Sequence, residues 1–456
     1  MICRPAGRLH IRYHYSAAIS SAQTAGGNVI DIGIFDPQGT TFPGGAGFRG
    51  WSGSARQEFM IGPDDATPGY QPGPLPAGRY QIILGLYRIW PQGAEYTIEI
   101  TAELTADRAT AQTAQRSTRA LTYPPQANGS PTQWLRGDLQ SHTYHSDAKG
   151  SPEQLVAKAR ALGLDFLAVT DHNTISHQRH LPALADADLL LIPSQEVTTY
   201  YGHMNVWGAE RWCDFRCQSA ADLAAIIDLS HASGGVCSIN HPKQGGPAWE
   251  YGFELPVDTM EVWQGPWPYR NEESLALWDR LLREGRQIPA VGGSDYHCPS
   301  DADTNFLRLG QPTTWVKVRE HSITGILEAL CAGRACISAG PSGPRLDLMA
   351  TVSEHSAGMG ETLPSPTDSS TVMLTVQIWH GAGYELQMIV DGNVALTAAI
   401  TADETLIEMH LPVSTYVRAE VVGNMPADQL PPQALQGLAL HGWRWALSNP
   451  IYLQRA

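Results

Sequence analysis

The chain has 456 residues, 43% apolar and 16% charged, with 45 acidic against 30 basic residues and a formal net charge of −15. That length is too great for one ordinary domain, and the apolar share is enough to fill two or three cores. The acidic balance argues against a nucleic-acid-binding face, which needs clustered Lys and Arg, and no apolar run reaches the ~18 residues of a membrane-spanning helix.

The start of the chain lacks the apolar stretch of a secretion signal. Its seven cysteines have no zinc-finger spacing, so they read as reduced thiols and the expected location is cytoplasmic. Residues 1–125 read as an all-β domain, a β-sandwich. Residues 10–15 alternate, and residues 29–35 form a second strand that closes at the turn Asp36-Pro37-Gln38-Gly39. Residues 79–87 and 96–100 are two more strands. Gly44-Gly45-Ala46-Gly47 is followed by no helical pattern and reads as a loop. Residues 106–133, rich in Thr, Ala, Gln and Pro, read as a linker.

Residues 134–340 alternate strand and helix, which implies a parallel sheet or barrel. Ser151-Pro152-Glu153-Gln154 opens a helix with an N-cap Ser, Pro at the first helical position and a capping-box Gln. Leu155, Ala159 and Leu162 form its apolar face and Gly163 stops it. Ser219 opens another helix, with Leu223, Ile226 and Ile227 inward. Asn271 opens a third, with Leu275, Trp278, Leu281 and Leu282 inward, closed by Gly285. Residues 345–456 return to β, with the best strands at 372–379, 384–390 and 415–422 and a turn at Asp391-Gly392-Asn393.

Within the middle region, four apolar runs end in residues of metal-binding type. Residues 164–170 lead into Asp171-His172, 189–195 into Glu196, 236–240 into His241 and 290–294 into Asp295-Tyr296-His297. A weaker fifth case is Asp138-Leu139-Gln140-Ser141-His142. Short apolar runs between helices read as buried parallel strands. The C-terminal strand ends of a β/α barrel converge on one face, so ligands remote in sequence would meet there. Mixed imidazole and carboxylate ligands suit Zn, Mn or Fe. No nucleophile elbow, P-loop or Cys-x-x-Cys competes.

The stretch from Gly137 to Asp147 resembles the first motif of the polymerase-and-histidinol-phosphatase (PHP) metallohydrolases, usually His-x-His followed by Ser-Asp. Thr170-Asp171-His172-Asn173-Thr174 resembles the second motif, and Glu196 with Gly202-His203 the third. Asn240-His241-Pro242 and Ser294-Asp295-Tyr296-His297 resemble the last two. The carbaryl-hydrolase-like branch, with β domains added around the barrel, is the most similar. The resemblance implies a multidomain α/β chain, with a distorted (β/α)7 barrel over residues 134–340 between N-terminal and C-terminal β-sandwich-like domains. It implies two or three divalent ions: one held by His142, Glu196 and Asp295, a second by Glu196, His203 and His241, a third by Asp147, His172 and His297. Gln140 departs from the family's first His and is either a ligand or a positioning residue. Asp138 and Asp171 are expected to orient ligands.

The implied activity is metal-dependent hydrolysis. Adjacent cations acidify a water and clamp the attacking and leaving oxygens, with Glu196 and Asp295 anchoring the ions and His145 the candidate proton donor. A phosphoester is the first expectation, a carboxyl ester or carbamate the second, and a non-catalytic metal-stabilised binding protein the third. The substrate is expected to be a small anionic molecule, with Lys243 and Arg270 as contacts. His177, His180 and His231 read as surface or supporting residues, Cys298 as a bystander, and Trp263, Trp267 and Trp278 as packing.

Overall fold

The computed structural model describes residues 1–19, 26–104, 132–245, 248–298, 307–364, 371–413, 415–424 and 442–454. The linker expected at 106–133 lies outside these residues except for its last two. The N-terminal part holds β1 (Ala6–Tyr15), β2 (Val29–Phe35), β3 (Phe48–Gly53), β4 (Glu58–Ile61), β5 (Gln81–Arg88) and β6 (Tyr96–Leu104). They form two antiparallel sheets, β4-β1-β6 and β3-β2-β5. The period of two in β1 sends Leu9, Ile11 and Tyr13 inward, where they meet Ile32 and Ile34 of β2 and Phe59 and Ile61 of β4. β2 is buried along its whole length, because its sheet has a second neighbour. Phe35, Phe48 and Trp51 share a core with Val197, Val206 and Phe215 of the middle region.

That region runs β7 (Gln133–Asp138), α1 (Pro152–Ala161), β8 (Phe166–Val169), α2 (Leu181–Leu184), β9 (Leu190–Thr199), β10 (Gly202–Trp207), α3 (Ala220–Ala232), β11 (Val236–Ile239), β12 (Thr259–Gln264), α4 (Asn271–Arg283) and β13 (Ala290–Gly293). The helix signals act as expected. Ser151 and Gln154 close a capping box on α1, and Gly163 takes a φ of 66° after it. Ser219 caps α3 through the Asp222 N–H. β8, β11 and β13 are fully buried, which is why they read as unbroken apolar runs.

A regular alternating barrel is not what the strand pairing shows. β7, β8 and β9 are parallel, but β10 is antiparallel to both β9 and β11, and parallel pairing resumes at β11, β12 and β13. β9 and β10 are joined by a tight turn, with no room for a helix. Beyond the strands, the Asp295 N–H donates to Gln140 O at 3.0 Å and the His142 N–H to Tyr296 O at 2.9 Å. The C-terminal ends of β7 and β13 are thereby held side by side.

The C-terminal part continues the same sheet. β14 (Thr313–Val318) pairs with β7 and, after α5 (Ile323–Cys331), with β15 (Ala335–Ser338). Then follow β16 (Arg345–Val352), β17 (His355–Gly358), β18 (Thr362–Leu363), β19 (Val372–Trp379), β20 (Glu385–Val390), β21 (Asn393–Ala399), β22 (Glu404–Leu411), β23 (Tyr416–Gly423), β24 (Trp443–Ser448) and β25 (Ile451–Leu453). β15 pairs with β24, Cys336 opposite Ser448, and a large mixed sheet extends from β13 to β21. A separate sheet, β17-β16-β19-β22, packs over it through Leu346, Leu348, Val376, Ile378, Met388 and Val421. The architecture is multidomain α/β and rich in strand. Among the described residues, no helix is long and apolar enough to cross a membrane.

Candidate metal centre

Strand direction decides which residues meet. His142 and Asp147 follow β7, His172 follows β8, His241 follows β11, and Asp295 and His297 follow β13, all at C-terminal ends. Glu196 lies inside β9. His203 is the second residue of β10, and because that strand runs the other way its N-terminal end lies with its neighbours' C-terminal ends. Two of these residues sit on strained backbone, His241 at φ 28° and Asp295 at φ 54°. L-residues adopt such angles only where the surroundings hold them, and such strain concentrates at functional sites.

The side chains form three overlapping groups: His142, Asp147, His172 and His297; Glu196, His203 and His241; and His142, Glu196 and Asp295. Within each group the candidate ligand atoms lie within 4.8 Å of one another. Glu196 is the hub. Its Oε2 is 3.0 Å from His172 Nδ1 and 3.4 Å from His142 Nε2, and its Oε1 is 3.1 Å from His203 Nδ1 and 3.4 Å from His241 Nε2. Asp147 Oδ1 lies 3.3 Å from His297 Nε2 and 3.6 Å from His172 Nε2, and Asp295 Oδ1 lies 2.9 Å from His142 Nε2.

The electrostatics call for positive charge. Burial alone would lower the imidazoles, yet Glu196 and Asp147 outweigh it at His172 and lift it to about 9. Asp147 and Asp295 do the same at His297, lifting it to about 10. Burial would raise Glu196 and Asp147, but the surrounding imidazoles hold both well below the usual carboxylate range. Burial lowers His142 and His203 instead, so the cluster offers neutral imidazoles beside ionised carboxylates, the donor set a cation needs. Imidazole nitrogens and carboxylate oxygens are the ligands that zinc, manganese and iron accept, so the residues fit the group that the sequence pattern implies.

A layer of neutral donors fixes these carboxylates. Gln140 Nε2 donates to Glu196 Oε1 at 3.3 Å and to Asp295 Oδ1 at 3.2 Å. Asn240 Nδ2 donates to Glu196 Oε1 at 2.9 Å, and Gln264 Nε2 to Asp295 Oδ2 at 2.7 Å. Thr198 Oγ1 is 2.6 Å from His172 Nδ1. Asp138 accepts the backbone N–H groups of Gln140, Ser294 and Gly310, and so ties the ends of β7 and β13 together rather than reaching the cluster. Asp171 accepts from Thr143 N–H, Thr143 Oγ1 and Ser146 Oγ, with His177 Nδ1 3.0 Å away, and thereby shapes the turn that carries Asp147.

Other expected site residues stand elsewhere. His145 turns away from the cluster to Ser176 Oγ at 2.8 Å, and burial pushes it down to about 3, so it is a neutral imidazole poorly placed to protonate a leaving group. Arg270 lies on the surface, paired with Glu273 and with Gln244 Oε1 at 3.0 Å. Lys243 does line a cavity of about 190 Å³ against His172, His203 and His241. Its Nζ donates to Asn271 Oδ1 at 2.8 Å and Gln264 O at 3.2 Å, and burial lowers it to about 7. His177 is fully buried against Asp171 rather than at the surface. His231 pairs with Asp258 at 2.8 Å, and the same carboxylate accepts the Cys237 N–H at 2.7 Å, away from the cluster. Trp263, Trp267 and Trp278 pack in the core against α4.

The roles of Asn240, Gln264 and Thr198 escape a search for ionisable ligands. Gln264 had a signal: the apolar run of β12 ends in it as the other runs end in their ligands.

Residues 138–222 match the model of the PHP domain family. No curated protein matches the chain. Among solved structures, one similar chain is a two-domain protein from Bacteroides vulgatus containing a predicted PHP-like metal-dependent phosphoesterase. It has 17% identity and a TM-score of 0.38, with 72% of this chain and 99% of that one covered. Another is PsfC from Pseudomonas syringae, at 16% identity and a TM-score of 0.31, covering 41% of this chain and 82% of that one. A third is an amidohydrolase from Chromobacterium violaceum with bound sulfate and no metal, at 15% identity and a TM-score of 0.25, covering 36% of this chain and 88% of that one. The segment that carries His142, Asp147, His172, Glu196 and His203 is therefore the segment that matches the PHP domain.

Proposed function

We propose that this chain is a metal-dependent hydrolase, a phosphoesterase first, and that its run from β7 to β13 is a distorted seven-stranded barrel built around a multinuclear site. The observation that carries the reading is the gathering of five His and three carboxylates, from six separate segments, into three overlapping ligand groups with Glu196 shared by two. His142, Glu196 and Asp295 would hold one ion, Glu196, His203 and His241 a second, and Asp147, His172 and His297 a third. When bound, zinc, manganese or iron supplies a water acidified toward neutrality and positive charge against the developing oxyanion. The chain's own residues do the rest. Gln140, Asn240 and Gln264 fix the ligand carboxylates, as partners of metal ligands commonly do. Lys243, in the small cavity beside the imidazoles, is placed to meet an anionic group. That placement favours a phosphoester over a neutral ester. A carboxyl-ester or carbamate substrate, in keeping with the carbaryl-hydrolase-like resemblance, is the second reading. It is favoured by a larger cavity beside the cluster, whose mixed lining includes Trp51, Ile83 and Phe215.

The test is a parallel screen of phosphate monoesters, phosphodiesters and carboxyl esters on protein loaded with each metal in turn. Phosphate release that disappears in Glu196→Gln is the expected result. Bound metal with no turnover of any ester would overturn the reading and leave a metal-stabilised binding protein.

A further inference from the structure

The cluster borders two cavities, and His172 and His203 line both. The smaller one is lined by His241, Lys243, Gln264 and Asp295 among others. The larger one, about 790 Å³, lies in the size range of small-molecule sites. Its floor is Asp147, His172 and His203, and its far wall is the N-terminal β3-β2-β5 sheet, which contributes Trp51, Ile83 and Tyr87. Phe215, from the segment before α3, closes the side. The two domains thus make the chamber jointly.

Away from the cluster, the charge in this chamber is one-sided. Among its described lining residues the only Lys or Arg is Arg216, whose guanidinium is held by Asp214 and by Thr40 O at 2.9 Å. Opposite stands Asp31, 8% exposed on β2. The Tyr200 hydroxyl donates to its Oδ2 at 2.7 Å, and the Ser54 backbone N–H is a second donor to the carboxylate. A carboxylate has about four acceptor positions, so Asp31 retains capacity for a further donor. Burying an acid beside Trp51 is costly unless its acceptors are used.

We infer that this chamber takes the non-reacting body of the substrate, and that this body is apolar, partly aromatic, and carries a hydrogen-bond donor that meets Asp31. The inference rests on the hydrolase reading, but the chamber's ligand preference is measurable without turnover. A hydroxyl and a protonated amine share the donor chemistry; an anionic group at the Asp31 end is opposed by that carboxylate.

Calorimetry on the full-length protein as purified, with three non-hydrolysable probes, tests it: 2-phenylethanol, 2-phenylethylamine and 3-phenylpropionate. At least one of the first two should bind, and 3-phenylpropionate should bind at least tenfold more weakly. Ala55 is an exposed lining residue, so Ala55→Trp can block the chamber without disturbing a core and should weaken the bound probe at least tenfold. Asp31→Asn keeps an acceptor for Tyr200 but removes the charge. It should weaken the amine at least tenfold and the alcohol less, which tells the two donor sources apart. Binding of the anion as tightly as the others, no binding of either donor probe, or affinities untouched by Ala55→Trp would overturn the inference. A failed ester screen alongside intact probe binding would instead overturn the hydrolase reading alone.

Discussion

Glu196 faces four imidazoles with one carboxylate, and that imbalance makes it the most sensitive residue of the cluster. Glu196→Gln keeps the shape and removes the charge. It should cost at least one bound metal equivalent per chain and at least about 10²-fold in hydrolysis, more than loss of an outer partner costs. His145→Ala should leave metal content unchanged, because His145 bonds Ser176 and not the cluster. Elemental analysis of both variants checks the contrast, and equal metal content in wild type and Glu196→Gln would defeat the assignment of Glu196. Gln140→His places an imidazole where an amide now donates to Glu196 and Asp295. Since imidazole is the better ligand for zinc-like ions, one metal should leave more slowly during dialysis against a chelator; an unchanged rate would mean that residue 140 only positions its neighbours. Most of the cluster was legible in the sequence because strand-end ligands follow apolar runs. Asp147 and His203 came from the family resemblance alone, and the position of His203 at a strand start makes sense only once β10 is known to run backwards. Asn240 and Gln264 carry no charge and no motif of their own.

Elements that bury both faces were the easiest to read. β8, β11 and β13 announce themselves as apolar runs, and the caps of α1 and α3 are local. β10, β14 and β15 were not read, and the pairing of β15 with β24 links residues more than a hundred positions apart, which no local pattern encodes. The buried side chain of Asn449, just past β24, makes this join specific. Its Oδ1 accepts the Ala290 N–H at 2.7 Å, and its Nδ2 donates to Ala290 O at 2.9 Å and Ala335 O at 3.0 Å. Asn449→Ala strands the N–H and C=O of Ala290 in β13, each worth about 1–3 kcal/mol when unpaired, while Ala335 O keeps the Asn449 backbone N–H. A loss of about 3 kcal/mol in denaturant unfolding is expected, allowing for partial relaxation, and a loss under about 0.5 kcal/mol would show that the C-terminal part is not fastened there.

At the scale of the molecule, the N-terminal sheet is part of the middle region's core rather than an appendage. Phe48 stacks on Trp212 with ring centroids 3.7 Å apart, and Asp31 joins Tyr200 across the same boundary. The sequence showed two β regions around an α/β one but not this shared core, because Phe35, Phe48 and Trp51 look like ordinary strand residues until their partners are known. Burial lifts the Asp31 carboxyl to about 6, so the folded chain binds that proton more tightly than the unfolded one. Its contribution to stability is therefore greatest at low pH and falls as pH rises from about 4 to about 6. Asp31→Asn should remove up to about 3 kcal/mol of that decline, and parallel pH profiles of wild type and variant would refute the environment assigned to Asp31. The central claim is that the eight converging residues hold metal. The most direct measurement is elemental analysis after metal-stripped, folded protein is dialysed to saturation against Zn, Mn and Fe. At least two equivalents of one of these metals per chain are expected, and a folded chain that takes up none would contradict the account.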